Sequence, residues 1–281
     1  MVVQTDDGIN QIPLDDIDLL LISTTQAVIT TMLISELAKE QVKVIFTDNA
    51  NEPVSETVDY YPNNRNVDLL KKQFNWDKGR EQLLWTKIVA SKIINQINVL
   101  AIYGVDNSEL IDELNKLEVD DVTNREAVVA RKYFQQLFDK SFNRRDFNPY
   151  NAAMNYGYSV LLANVNREIV SNGYLTYLGI HHHSDDNQFN LGSDLMEPFR
   201  PIIDYWLANQ KFKELTPDVK FGLVDLLNLE LKFNGKQTLF RNMITDHVRN
   251  CLKFLSGEKD EVQIEVELKN EVLNNAINGH V

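Results

Sequence analysis

Cysteine is almost missing from this chain. Cys251 is the single one in 281 residues, so no internal disulfide can form. Its helical surroundings make it a small buried apolar side chain. Long apolar runs are missing too: a stretch such as Val99 to Val105 falls far short of the roughly 20 residues that a membrane helix needs. The opening residues, Met1-Val2-Val3-Gln4-Thr5-Asp6-Asp7, lack the basic start and apolar core of a signal peptide. The expectation is a soluble, cytoplasmic protein with no membrane partner.

Glycine is sparse, 11 residues in all, and none of it forms a phosphate-cradling loop. Paired-cysteine zinc signatures, a His-Glu-x-x-His helix and a Gly-x-Ser-x-Gly elbow are likewise absent. Positive charge is in deficit, with 28 Lys and Arg against 41 Asp and Glu, a net of −13. That balance argues against a polyanionic partner, since phosphate binding normally needs a basic surface. Its distribution softens the objection. Residues 1–60 hold eleven acids against two lysines, whereas residues 123–168 hold seven Lys/Arg against four acids. The middle of the chain can therefore face phosphate, although a mixed-charge helical surface accounts for the same residues.

What is present is ordinary globular material, 43% hydrophobic and 25% charged, enough for one large domain or two moderate ones. Asp18 to Ile22 and Val42 to Phe46 are short aliphatic runs suited to a buried sheet. Between them, a cap at Thr24-Thr25-Gln26 and the spacing of Val28, Met32, Ile34, Leu37 and Ala38 predict a helix to Glu40. Ser55 to Tyr61 alternates weakly, as a strand would. Pro62-Asn63-Asn64-Arg65-Asn66 is a turn-forming cluster that sets a boundary between a domain at 1–62 and a second at 67–281. Beyond it the pattern is helical: Arg80–Tyr103, Ser108–Leu117, Thr123–Phe138, Pro149 to Asn172 with Gly173 as the stop, Asp194–Asn209, Pro217–Leu229 and Thr238–Leu255. Val262 to Val266 alternates as a late strand would, and there is no internal repeat. Strands segregated from helices in this way predict the α+β class.

Three segments combine acidic or imidazole groups with cations. In Ser193 to Pro201, Asp194 and Glu197 lie three apart, so a helical turn puts both on one face. Pro198 and Pro201 then force a new start or a kink, because an interior proline costs a helix about 3 kcal/mol. A cap followed by a kink explains that spacing equally well. The Gly179-Ile180-His181-His182-His183 loop precedes it closely enough to fold over it, although such a run is commonly a solvated loop. Asn-Arg-Glu occurs twice, at 124–126 and 166–168, and either Glu126 or Glu168 can join a site or pair with its neighbouring arginine. Spacing alone leaves the two open, and Tyr156-Gly157-Tyr158 reads as helix packing.

These residues resemble a known family. Asp194-Leu195-Met196-Glu197-Pro198-Phe199-Arg200-Pro201 behind a Gly-x-x-His loop is similar to the signature of the integrase of CRISPR adaptation modules, the first CRISPR-associated protein. Asn124-Arg125-Glu126-Ala127 with Ala130-Arg131 and Tyr133-Phe134 resembles its upstream glutamate motif. Asn187-Gln188-Phe189-Asn190 and Asn155-Tyr156-Gly157-Tyr158 resemble the type II-A branch. The likeness runs on through Leu19-Leu20-Leu21, Val44-Ile45-Phe46 and the Trp85 helix.

The resemblance implies metal ligands at Glu126, His182 and Glu197, with Asp194 auxiliary to them. Two carboxylates and one imidazole suit Mg²⁺ or Mn²⁺. The implied reaction is attack of a DNA 3′-hydroxyl on a phosphodiester of a CRISPR repeat, with nuclease activity as the reverse, and Arg125 and Arg200 hold the DNA backbone. The implied partners are double-stranded DNA (prespacer and repeat), a second copy joined through residues 1–62, the small second CRISPR-associated protein, other type II-A adaptation proteins and the effector nuclease. A non-catalytic DNA-binding or scaffold protein of the same fold is the alternative. The family begins with a further β-hairpin, whereas this chain enters at Met1-Val2-Val3, within what reads as its third strand, so the amino-terminal domain is expected to lack its first hairpin.

Overall fold

The computed structural model describes residues 1–5, 8–17, 19–49, 53–57 and 67–268. The chain divides into two compact units, Met1–Pro62 and Asn63–Val281.

The amino-terminal unit opens with an antiparallel hairpin of β1 (Val2–Thr5) and β2 (Gly8–Gln11). Nearly every residue of that hairpin is solvent-exposed, so it carries no apolar alternation by which a strand is recognised. A second sheet runs β3 (Leu19–Ile22), β4 (Lys43–Thr47), β5 (Pro53–Glu56), with β3 parallel to β4 and β5 antiparallel to it. Parallel neighbours need a crossover, and α1 (Thr31–Lys39) supplies it. The helix begins later than the apolar spacing predicts. Thr30 caps it, accepting from the Leu33 amide at 3.2 Å, and Val28 stays outside the helix at 97% exposure. Leu37, Val42 and Val44 form the buried centre, with Leu20, Ile22, Leu33 and Phe46 packed around them. Of the predicted Ser55–Tyr61 strand, only Ser55 and Glu56 fall in β5. Residues 58–61 and the Pro62–Asn66 cluster lie outside the described residues.

Among the described residues, the second unit holds nine helices and one small sheet. They are α2 (Val67–Phe74), α3 (Lys78–Ile102), α4 (Ser108–Leu114), α5 (Arg125–Leu137), α6 (Pro149–Ser171), α7 (Asn190–Met196), α8 (Arg200–Ala208), α9 (Pro217–Asp225) and α10 (Phe240–Leu255). The two longest, α3 and α6, are buried on most of their faces. Both start at side-chain caps, with Asp77 accepting from the Arg80 amide at 2.9 Å and Asn148 from the Asn151 amide at 2.8 Å. Gly173, at φ +86°, ends α6 in a left-handed turn.

Two features depart from the predicted helices. Asp194–Asn209 is not one helix: α7 ends at Met196, Glu197–Phe199 forms a 3₁₀ turn, and α8 starts at Arg200. Pro198 and Pro201 occupy first-turn positions after each break, where a missing N–H is harmless. Residues 230–239 make the hairpin β6 (Glu230–Phe233) and β7 (Lys236–Leu239), which lies between the predicted helices except at its end. Asn234 and Gly235 take φ +47° and +81° in its turn. Thr238 and Leu239, expected to open the last helix, are strand, and α10 starts at Phe240. β8 (Val266–Glu267) pairs with β6, so the sheet order is β7-β6-β8. Val262, Ile264 and Val266 are buried, as their alternation predicts, but the ladder takes only Val266 of that stretch, together with Glu267.

Candidate functional site

The centre of the helical unit is a carboxylate pair closed over one ammonium. Lys92, on α3 and only 7% exposed, donates to both Glu126 and Glu197. Glu126 sits in the first turn of α5. That helix starts at a cap from Asn124, whose side chain accepts from the Ala127 amide. The Asp121 carboxylate adds bonds from the Arg125 and Glu126 amides at 2.6 and 3.0 Å. Glu197 sits in the proline-bounded 3₁₀ turn, which Asn95 of α3 grips by donating to the Pro198 carbonyl at 2.7 Å.

Burial alone would push the Glu197 carboxyl up, but the Arg200 guanidinium and Lys92 hold it below its ordinary value. Burial would likewise lower Lys92, and Glu197 and Glu126 more than reverse that. Both shifts favour the charged forms of Glu197 and Lys92.

The imidazole beside them is aimed by Asp194, which is fully buried on α7. Its Oδ2 accepts from the amides of Ile180 and His181 at 2.8 and 3.0 Å. Its Oδ1 accepts from the His182 amide at 3.2 Å and from His182 Nδ1 at 2.5 Å. Taking the Nδ1 proton leaves Nε2 as the ring's acceptor face. The Asp194 hydrogen bond raises the His182 pKa against the opposing effect of burial, and the charges of Glu197 and Glu126 add to it. The three consecutive histidines thus have different surroundings. His181 stacks on Trp85 with centroids 4.1 Å apart, His182 binds Asp194, and His183 lines a cleft of about 440 Å³ with Trp76, Tyr177 and Asp185.

Of the expected site residues, Glu126 and Glu197 meet at a common cation, and His182 lies within their electrostatic reach. Among the described residues, no three His, Cys, Asp or Glu groups enclose a single ion-sized point. The position the two glutamates share is Lys92's. Asp194 anchors the loop. Glu168 instead pairs with Arg167 at 3.2 Å. Arg125 pairs with Glu113 at 2.7 Å, and Arg200 lies 3.0 Å from Glu197, so both cations are engaged within the protein. Arg200 also covers the ring of Tyr158, whose hydroxyl donates to buried Asp204. Tyr158, of the aromatic pair on α6, therefore supports the site as well as the packing. Sequence reasoning missed Lys92, Asn95 and Asp204. The signal for the first two was a lysine and an asparagine inside an apolar stripe of a helix buried nearly all round.

The fold and the site define an α+β protein whose helical unit presents a buried carboxylate pair beside an oriented imidazole. The chain belongs to the family of the CRISPR associated protein Cas1, whose family model matches residues 1–221. A CRISPR-associated endonuclease Cas1 from Neisseria meningitidis serogroup C (strain 8013) is 34% identical over 238 residues, 82% of this chain and 78% of that protein. Among solved structures, a casposase bound to an integration product superposes with a TM-score of 0.75 at 22% identity, over 88% of this chain and 80% of that one. A Cas6-RT-Cas1–Cas2 complex gives a TM-score of 0.74 at 19% identity, over 95% of this chain and 34% of that one. No helix among the described residues is long and apolar enough to cross a membrane.

Proposed function

We propose that this protein is a metal-dependent DNA strand transferase that joins a DNA 3′-hydroxyl to a phosphodiester, inserting spacers into a CRISPR array and cutting branched DNA in reverse. The observation that carries the proposal is the meeting of Glu126 and Glu197, from separate segments, around one cation position beside an imidazole fixed by a buried carboxylate. Supporting it are the family and the likeness to a casposase bound to an integration product.

Glu126 and Glu197 would hold the ion through oxygen and His182 through Nε2, a donor set suited to Mg²⁺ or Mn²⁺. A divalent ion held there polarises a phosphoryl oxygen and lowers the pKa of an attacking hydroxyl. Asp194 keeps the His182 ring in one tautomer and orientation. Arg200 balances the Glu197 charge from the far side. Arg131, Lys140 and Arg145 are solvent-exposed on or near α5 and offer phosphate contacts that Arg125 and Arg200 do not.

The wider reading is a homodimer through residues 1–62 that works with a small Cas2-type partner, in keeping with the Cas1–Cas2 assembly among its structural neighbours. It also includes the type II-A branch, for which the Asn155–Tyr158 and Asn187–Asn190 motifs speak, with the other adaptation proteins and effector nuclease of that branch as partners. Asn190 fits such a role, since its amide bridges the carbonyls of Tyr177 and Ser184 at 3.1 and 2.9 Å and braces the histidine loop.

Glu126→Ala, His182→Ala and Glu197→Ala should each lower Mn²⁺-dependent strand transfer on branched DNA at least a hundredfold while circular dichroism stays unchanged. Full activity in Glu197→Ala would remove the site assignment. DNA binding without metal-dependent product in the parent protein would favour the non-catalytic scaffold.

A further inference from the structure

We infer that Lys92 is a built-in competitor for the metal: its ammonium occupies the position that Glu126 and Glu197 share, and a divalent cation enters only by displacing it. The inference rests on the reading of those glutamates as metal ligands.

Three observations carry it. Lys92 is contributed by α3, Glu126 by α5 and Glu197 by the 3₁₀ turn, so the ammonium alone joins three elements. Glu197 and Lys92 are 6% and 7% exposed, which leaves little water to screen two carboxylates brought together there. An ammonium has three donors and no acceptor, so it satisfies carboxylate oxygens as a metal ion does, but without coordinating them. A divalent ion bound by the same two oxygens would face the Lys92 charge at contact distance, where like charges repel strongly. The side chain must then swing aside on its four-carbon stem.

The free protein therefore holds its two acids together, ready but blocked. The displaced ammonium comes to rest beside the ion, where an incoming phosphate oxygen is its natural acceptor. Metal binding and DNA binding thereby favour one another. Lys92 on this view is a positioning residue of the empty site and a phosphate contact of the filled one.

The test measures Mn²⁺ binding to the full chain by electron paramagnetic resonance, without DNA, for the parent, Lys92→Met and Lys92→Gln. The expected result is at least tenfold tighter binding in both variants, with a lower melting temperature in the absence of metal that Mn²⁺ restores. Lys92→Gln keeps N–H donors for the glutamates, so it preserves the fold if the methionine variant does not. Adding Glu197→Gln to either variant should abolish the gain, locating the ion at this site. Equal or weaker Mn²⁺ binding in folded Lys92→Gln overturns the competitor role while leaving the metal site standing. Absence of Mn²⁺ binding in parent and variants alike overturns both.

Discussion

At the scale of single residues, Asp194 does the most with one side chain. From a buried position its carboxylate accepts from three consecutive amides and one ring nitrogen. Asp194→Ala leaves those donors without a partner, and each such loss typically costs about 1–3 kcal/mol. Denaturant titration should show a loss of roughly 3 kcal/mol or more, with the His182 nuclear magnetic resonance signals broadened as the loop loses its anchor. Asp194→Asn keeps one acceptor oxygen and should lie between the parent and the alanine variant. A loss below about 0.5 kcal/mol in Asp194→Ala would show that the loop is held by something else. This residue was legible in sequence as a partner of Glu197 on one helical face, but its work as a loop anchor was not. Hydrogen bonds between residues 180 and 194 depend on a return of the chain that spacing cannot report. Lys92 was hidden for a different reason: a lysine among isoleucines reads as a surface interruption until burial is known.

The helices were the legible elements, because α3, α5 and α6 combine an apolar period with caps, and each lies within two residues of its predicted ends. The strands fared unevenly. β3 is half-buried and β4 buried, and both are largely aliphatic, whereas β1 and β2 expose both faces and offer no pattern. β6 and β7 did carry a signal in Asn234-Gly235, a dipeptide whose positive φ angles suit a two-residue hairpin. α1 was predicted too long because Val28 matches the helical spacing without being covered by anything.

How tightly elements approach at the site can be tested at Gly179, before the histidine loop. A Cβ there would lie 2.3 Å from the His182 carbonyl oxygen and 2.7 Å from Asp194 Oδ2. Gly179→Ala should therefore destabilise by about 1–3 kcal/mol and lower strand transfer more than DNA binding. Unchanged stability and activity would mean that the loop sits further from α7 than described here.

At the scale of the whole molecule, two buried groups far from one another in sequence set opposing responses to acid. Burial pushes the Asp204 carboxyl up to about 6, against the hydrogen bond from Tyr158. Between about pH 4 and 6 the folded state thus holds more protons than the unfolded one, and this group's contribution weakens as pH rises. Burial pushes His247 down to about 4, with its ring bonded to the Leu195 carbonyl at 2.9 Å. Between about pH 4 and 6.5 the unfolded state holds the extra proton, so this contribution weakens as pH falls. Each amounts to roughly 3 kcal/mol over its window, and in the parent the two nearly cancel. Measured against the parent by urea unfolding from pH 7 to pH 4, Asp204→Asn should lose stability progressively and His247→Gln should gain it. A difference that stays constant with pH in both variants would mean that neither group titrates in this range.

The guanidinium of Arg80 has its own consequence. It donates to the carbonyls of Phe254 and Lys259, 174 and 179 positions further along the chain, at 2.9 and 2.7 Å. The first turn of the long central helix is thus fastened by residues that are synthesised long after it. During synthesis α3, and the lysine it carries, wait for the segment around Phe254 to Lys259 before they reach their lasting place. A nascent chain stalled before that segment emerges would display an unlatched α3 to proteases, and the finished protein would not.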